Sequence, residues 1–360
     1  MNHDSHGEKR DFSRNPEPVA TADQAQPVAA EIPRRGNTAP DDVCSPAGTP
    51  APDGRKPEGG ALVNIAGHSL ALTSLNKVYW PATGYTKCDL IAYYRAVADH
   101  LLPYLKDRPQ SLHRHPNGIR DEGFYQRDIR SQLPEWVETA EIYAESTGRN
   151  LAHVLCQDEA TLVYLNNLGC IELHPWNARV GSLDKPDYLV IDLDPGENTY
   201  DQVVEVALAV KGVMDVAGAK ACCKTSGATG MHIFVPLGGR YGFDAAEAFA
   251  RAVAERVHAQ LPELTSLERS PKARRKQVYL DYLQNNIGQS VAAAYSVRPK
   301  PGATVSTPLA WEEVKKGLQP SRFTIKTVPE RLERVGDLFR DVLGPGVDLE
   351  ACTARLAATK

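Results

Sequence analysis

The run Tyr188-Leu-Val-Ile-Asp-Leu-Asp194, closed by Pro195 and Gly196, constrains this chain more than any other stretch. It reads as a buried strand ended by a Pro-Gly break, and strand side chains alternate between two faces. Asp192 and Asp194 therefore share one face, while Ile191 and Leu193 enter the opposite layer. Two carboxylates about 4 Å apart repel by about 4 kcal/mol at an effective dielectric near 20. A divalent cation removes that cost, and oxygen-only ligands favour Mg²⁺ or Mn²⁺ over zinc. A bare D-x-D is common, and the same pattern also fits a strand end with two solvated acids.

A second acid-bearing strand, YLDYLQN, places Asp281 in otherwise apolar surroundings. An unpaired buried charge is costly. Either Arg274, Arg275 or Lys276 serves as its partner, or Asp281 is a third metal-site carboxylate, which would give two metals a platform spanning two strands. KTSGATGMHIF reads as strand, glycine turn and strand. Gly227 and Gly230 would let backbone amides approach a phosphate, Ser226 and Thr229 add hydroxyls, and His232 follows on the next strand. The spacing is not a Walker A loop, and a plain hairpin with a core histidine fits it equally. In ELHPWNAR, His174 and Trp176 suit a base or triphosphate, or simply a core. Lys77, Lys87, Arg114, Arg120, Arg127, Lys272, Arg274 to Lys276 and Arg298 are interleaved with Tyr79, Trp80, Phe124 and Tyr125. Such a series can track a nucleic-acid backbone and stack on bases, although each cation alone is ordinarily solvated.

Around these motifs, residues 1–60 are dense in Pro, Ala, Gly and Asp and read as a disordered tail. Residues 61–350 carry the ordered domain, and 351–360 read as a C-terminal tail. ALVNIAGHSLALT is a hairpin around a Gly-His turn. Thr86 caps a helix bearing Leu90, Tyr93, Val97 and Leu101 on one face, with Asp89 where a capping box usually has Glu or Gln. Pro103 is expected to kink or end that helix. Further helices are expected at Glu159–Leu168, Tyr200–Ala217, Asp244–Leu261 and Glu330–Val342. Strands and helices mix without strict alternation, which points to an α+β (mixed α/β) class.

The 360 residues are 42% hydrophobic and 24% charged, as in ordinary globular proteins. The net charge of -4 argues against nonspecific coating of nucleic acid but leaves room for a local basic groove. No apolar run approaches the ~20 residues of a membrane span, and the polar start lacks a secretion signal. A cytoplasmic, nucleoid-associated monomer is the expectation. The seven scattered cysteines suggest neither a zinc site nor a disulfide framework, and read mostly as buried small hydrophobes.

From about Leu72 to Val342 the motifs NKVYWP, GYTKCDLIAYY, EGFYQRD, ELHPWNAR, YLVIDLDPG, SGATGMHIFVPL, SPKARRKQVYLDYLQN and AAAYSVRPKPGATVSTPLAW follow one another. In that order they resemble the polymerase domain of LigD, the bacterial non-homologous end-joining ligase, within the archaeo-eukaryotic primase superfamily. The resemblance implies a central β-sheet flanked by helices and a two-metal nucleotidyltransferase using Mn²⁺ or Mg²⁺ at Asp192, Asp194 and Asp281. It implies that His174, Ser226, Thr229, His232, Gln284 and Arg298 meet the incoming NTP or dNTP. It further implies that Lys77 and Lys87 grip a DNA 5′-phosphate and that Phe124 and Tyr125 stack on template bases. Thr229 stands where many relatives have lysine. A ligase signature of the K-x-D-G kind is not seen, so a stand-alone polymerase, or one acting beside Ku and a separate DNA ligase, is implied.

Two other readings compete. A D-x-D phosphohydrolase or glycosyltransferase would not need the basic and aromatic series between 77 and 127. A noncatalytic DNA-end-binding module recruiting a ligase would not need three acids.

Overall fold

The computed structural model describes residue 44 and residues 60–270, 272, 274 and 276–359. The tail read over residues 1–60 lies outside the described residues except at Cys44 and Gly60. β1 (Gly60–Ile65) and β2 (His68–Thr73) form the expected hairpin. Its turn residues are Ala66 and Gly67, at φ 50° and 86°. Such a pair of positive φ values matches the twist of the strands it joins, and it sits one residue earlier than the Gly-His pair suggested.

β3 (Val78–Trp80) and β4 (Tyr85–Thr86) lead into α1 (Lys87–Ala96). Thr86 N donates to Asp89 Oδ2 (2.8 Å) and Asp89 N to Thr86 Oγ1 (3.3 Å), a complete capping box with Asp in the place of Glu. The helix breaks at Val97, not at Pro103. α2 (Ala98–Leu105) passes through Pro103, because burial of Leu101, Tyr104 and Leu105 offsets the ~3 kcal/mol an interior proline costs. Cys88 at the start of α1 is disulfide-bonded to Cys44, a link the scattered spacing did not suggest. The five free cysteines are buried.

The next elements are β5 (Gln110–Arg114), β6 (Phe124–Gln126), β7 (Thr139–Ala144), β8 (Arg149–Val154), α3 (Glu159–Asn167) and β9 (Cys170–Pro175). They include a three-stranded sheet in the order β6-β5-β9 and a β7–β8 ribbon. Then come β10 (Tyr188–Asp194), α4 (Tyr200–Ala217), β11 (Cys222–Thr225), β12 (Met231–Pro236), α5 (Phe243–Gln260), β13 (Thr265–Ser266), β14 (Val278–Asp281), β15 (Pro308–Leu309), α6 (Thr327–Val335) and α7 (Leu349–Ala358). Their strands form a six-stranded sheet, β13-β14-β10-β12-β11-β15, antiparallel at every pairing except β13–β14. The fold is α+β.

The two faces of this sheet differ as strand alternation requires. Leu189, Ile191 and Leu193 of β10 join Met231, Ile233, Val278 and Leu280 in a core under α4, α5 and α7. Tyr188, Val190 and Phe234 face the other way, into a core shared with α1, α2, β5 and β9. Residues 351–358, read as a tail, belong to α7, whose Leu349, Cys352 and Leu356 at helical spacing are buried against α4 and α5. The helix read over Glu330–Val342 ends at Val335, where Gly336 takes φ 70°.

Side chains from the start of the domain bond to groups near its end. Trp80 Nε1 donates to Lys300 O (3.0 Å), Tyr93 OH to Tyr295 O (2.8 Å) and Tyr104 OH to Asp337 Oδ2 (2.6 Å). Among the described residues no helix is long and apolar enough to cross a membrane.

Candidate active site

The central strand β10 carries Asp192 between two partners: Asp281 of β14 lies directly opposite on one side and His232 of β12 on the other. Residues opposite one another in an antiparallel pair share a face, with Cβ atoms about 4.5–5.5 Å apart. Asp192, Asp194, Asp281 and His232 thus occupy the end of one sheet face. Burial first, then the Asp281 and Asp194 carboxylates, push the Asp192 carboxyl up to about 7.

Each acid has a distinct surrounding. His232 Nε2 lies 3.4 Å from Asp192 Oδ1. Asp194 Oδ2 receives the Arg274 guanidinium at 2.7 Å, and its Oδ1 accepts from Gly196 N at 3.2 Å. Arg274, one of three basic residues considered as partner for Asp281, thus serves Asp194 instead; Arg275 lies outside the described residues, and Lys276 pairs with Glu197 at 3.1 Å. Asp281 accepts from Gln284 Nε2 (2.9 Å), Leu283 N (3.0 Å) and Tyr279 OH (3.3 Å). Gln284 is therefore brought to the aspartates.

The glycine turn joins β11 to β12 beside this cluster. Gly227 adopts φ 73°, and a Cβ there would lie 2.6 Å from Ser306 N. Only glycine fits so close an approach. The turn amides of Ala228 and Gly230 donate to Ser226 Oγ (3.1 and 3.0 Å), so they order the turn itself. Thr229 is exposed at the tip.

Below the turn is a residue the sequence reading did not single out. Lys224, fully buried, lies opposite His232 and reaches His232 Nδ1 (2.7 Å), Ala292 O (2.8 Å) and Ser306 Oγ (2.6 Å). Burial and the nearby Arg298 cation hold its ammonium well below the usual lysine range. Burial, then Lys224 and Arg298, hold the His232 imidazole well below its usual value. A lone lysine in ACCKT, facing a histidine across the hairpin, was the available signal.

A second cluster rises from the three-stranded sheet. Glu172 on β9, 1% exposed, contacts His174 Nε2 (2.5 Å), Arg298 Nε (2.9 Å) and His113 Nδ1 (3.2 Å). Burial alone would raise the Glu172 carboxyl, but Arg298 and the two imidazoles hold it well below the carboxylate range. Arg298 Nη1 in turn donates to Ser226 O at 2.5 Å, which ties this cluster to the glycine turn. The half-exposed Tyr125 ring stacks on His113 at 4.3 Å and stands edge-on to His174 at 5.4 Å. Phe124, the adjacent residue on β6, lies instead under the Arg114 guanidinium, 5.4 Å from its centre. Neighbours along a strand face opposite ways, so Phe124 and Tyr125 do not form one platform. Arg114 itself is occupied by Leu168 O, Gln126 and Gln132.

Lys77 and Lys87 come together at the entry to α1, where Lys87 N donates to Lys77 O (2.9 Å). The Lys77 ammonium is exposed and reaches Pro116 O and Asn117. The buried Lys87 reaches Thr73 O at 2.7 Å, and burial together with Lys77 lowers it to about 8.

The donor chemistry at the aspartates suits a hard divalent cation, being all carboxylate oxygen. The charge left unrelieved on Asp192 is what such an ion would neutralise. The geometry is not a closed cage: among the described residues no three His, Cys, Asp or Glu side chains stand grouped as ligands. Asp194 is turned onto Arg274 and Asp281 onto Gln284, so ion entry requires exchange of those partners.

The family description "LigD, primase-polymerase domain" matches residues 86–339. The bifunctional non-homologous end joining protein LigD of Bacillus subtilis is 35% identical over 76% of this chain and 44% of its own length. The multifunctional protein of the same name from Pseudomonas aeruginosa is 32% identical over 86% of this chain and 37% of its own. The chain thus spans about two fifths of these curated relatives. Among solved structures, the polymerase domain from Mycobacterium tuberculosis Ligase D in complex with DNA superposes with a TM-score of 0.72 at 29% identity. The match covers 77% of this chain and 99% of that one.

Proposed function

Because the chain belongs to the LigD primase-polymerase domain family, we propose that it adds ribonucleotides or deoxyribonucleotides to primer 3′ ends at DNA gaps and double-strand breaks, as part of non-homologous end joining. The observation that carries this reading is the register that sets Asp281 and His232 on either side of Asp192. The solved neighbour holds DNA, which supports gapped or broken DNA as the substrate here. Ku and a ligase are the partners the reading calls for, and a nucleoid-associated location and a monomeric state accord with it.

Asp192, Asp194 and Asp281 would hold the cations, two ions of Mn²⁺ or Mg²⁺. Bound there, they supply Lewis-acid activation of the primer hydroxyl and neutralise charge at the triphosphate. The protein's own groups do the positioning. His232 and Arg298 direct N–H donors at phosphate oxygens, Ser226 and Thr229 line the turn beside them, and His174 and Gln284 border the nucleotide. The exposed Tyr125 ring is offered to a template base, with Phe124 as its neighbour on the strand, and Lys77 and Lys87 present cations to a 5′-phosphate. Primer extension on a 5′-phosphorylated gapped duplex tests the reading. Addition should require Mn²⁺ or Mg²⁺ and stop with chelator. No addition with either ion, or nucleotide-sugar turnover without DNA, would reject it.

The raised Asp192 carboxyl gives a second expectation. A folded-state value of about 7, above the unfolded value near 4, means that stability from this group is full below about pH 4 and is lost as pH rises through 7. The loss is at most about 4 kcal/mol. Without divalent cations, calorimetry should show Tm falling between pH 5 and pH 8 more steeply than in Asp192→Asn. Mn²⁺ should raise Tm much more at pH 8 than at pH 5. Equal Mn²⁺ shifts at both pH values would contradict the cation role.

A further inference from the structure

We infer that Glu172 is the positioning residue of the nucleotide pocket, holding His174 and Arg298 in the orientation in which they meet a nucleoside triphosphate. The inference rests on the polymerase reading above and deepens it. Glu172 is 1% exposed, in the middle of β9, with His113 directly across the pairing on β5. A carboxylate so placed is expensive unless every lone pair is used. Its Oε1 meets both His174 Nε2 and Arg298 Nε, and its Oε2 meets His113 Nδ1. One acid thus fixes groups from three separate segments.

The consequence for each partner is geometric. With Nε2 held by Glu172, the His174 ring has a fixed plane, edge-on to Tyr125. Arg298 donates from Nη1 to Ser226 O, and its Nε lies 2.9 Å from Glu172 Oε1 as a charge contact without an aligned hydrogen bond, so its planar fork is held between the turn carbonyl and the buried carboxylate. A guanidinium held this way loses little freedom when it binds an anion, whereas a free one must be ordered at a cost. Glu172 also removes positive charge from the pocket, so a purely electrostatic view predicts tighter triphosphate binding without it. The clamp predicts the opposite, and the sign separates the two accounts.

The test compares wild type, Glu172→Gln, Arg298→Ala and the double variant. Equilibrium titration with ATP and Mn²⁺ by calorimetry gives affinity without turnover. Primer extension on gapped DNA gives KM and kcat. Glu172→Gln, which keeps size and removes charge, should weaken ATP binding and raise the nucleotide KM at least about tenfold. Its kcat at saturating nucleotide should stay within about threefold of wild type. In the Arg298→Ala background the same change should have little further effect, because its main partner is gone. Unchanged or tighter ATP binding in Glu172→Gln, or losses that add fully with Arg298→Ala, would overturn the positioning role, as would a wild type that binds no ATP. A wild type that binds ATP but extends no primer would sink the polymerase reading alone, and the titration would still decide Glu172.

Discussion

Primer extension by the Asp192→Ala variant is expected to fall by at least about a thousandfold, with gapped-DNA affinity largely kept. Asp192 is the residue that both neighbouring strands address: Asp281 from β14 and His232 from β12. A metal ligand in such a site supplies several kcal/mol of transition-state stabilisation, and about 4 kcal/mol is a thousandfold in rate. The same substitution should leave the cation-free protein at pH 8 more stable than wild type. It removes the acid whose carboxyl is pushed up to about 7 by burial and two neighbouring carboxylates. Loss of activity with a gain in Tm is the mark of a site strained for function. Retained extension in Asp192→Ala would reject the mechanism, and a lower Tm at pH 8 would show that the crowding has been misjudged.

The second large effect concerns Gly230. A Cβ on this residue would lie 2.1 Å from Leu193 O, the carbonyl between Asp192 and Asp194 on the neighbouring strand. The obstacle is backbone, so no side-chain rotation relieves it. Gly230→Ala must push β12 from β10, and overpacking of this kind typically costs about 1–3 kcal/mol. For a domain of this size that is a fall of several degrees in Tm. The effect on extension should be larger, because misplacement by about 1 Å at catalytic groups can cost a hundredfold. Unaltered Tm and activity in Gly230→Ala would show that the two strands do not approach as closely as described.

How much of this was legible in the sequence depended on whether the signal was local. The placement of Asp192 and Asp194 opposite Ile191 and Leu193 follows from alternation alone, and the cores on the two sheet faces agree with it. Helix α4 carries its own punctuation, with Thr199 and Gln202 at one end and left-handed Gly218 at the other. The meeting of Asp281 with Asp192 was different. It depends on strand order and register, which no local pattern encodes, and the reading leaned on family resemblance there. The lysine hidden under His232 and the buried Glu172 were missed for the same reason, since each is defined by partners far along the chain. Arg274 is legible in the sequence only as one of three possible partners for Asp281, because sequence proximity suggests that acid, while the folded loop delivers it to Asp194. β7 and β8 went unread because the inward side of β7 is only half-buried Ala140, Ile142 and Ala144, with the apolar Tyr143 turned outward, and β8 ends in four consecutive buried residues with no alternation. α7 was lost to its position at the chain end, although Leu349, Cys352 and Leu356 have helical spacing.

The bonds from Trp80, Tyr93 and Tyr104 to Lys300, Tyr295 and Asp337 span more than 200 residues each. Their donors are all in the first fifty residues of the ordered domain, and their acceptors all lie past Asp281. A ribosome must therefore release nearly the whole domain before any of them can close, and loop-closure entropy makes such late joins slow. A cut anywhere between the two groups would leave buried hydroxyls and an indole without acceptors on one fragment, and two carbonyls and a carboxylate without donors on the other. Strands β10, β12 and β14 sit inside that clasp, so neither half of this chain is a domain in its own right.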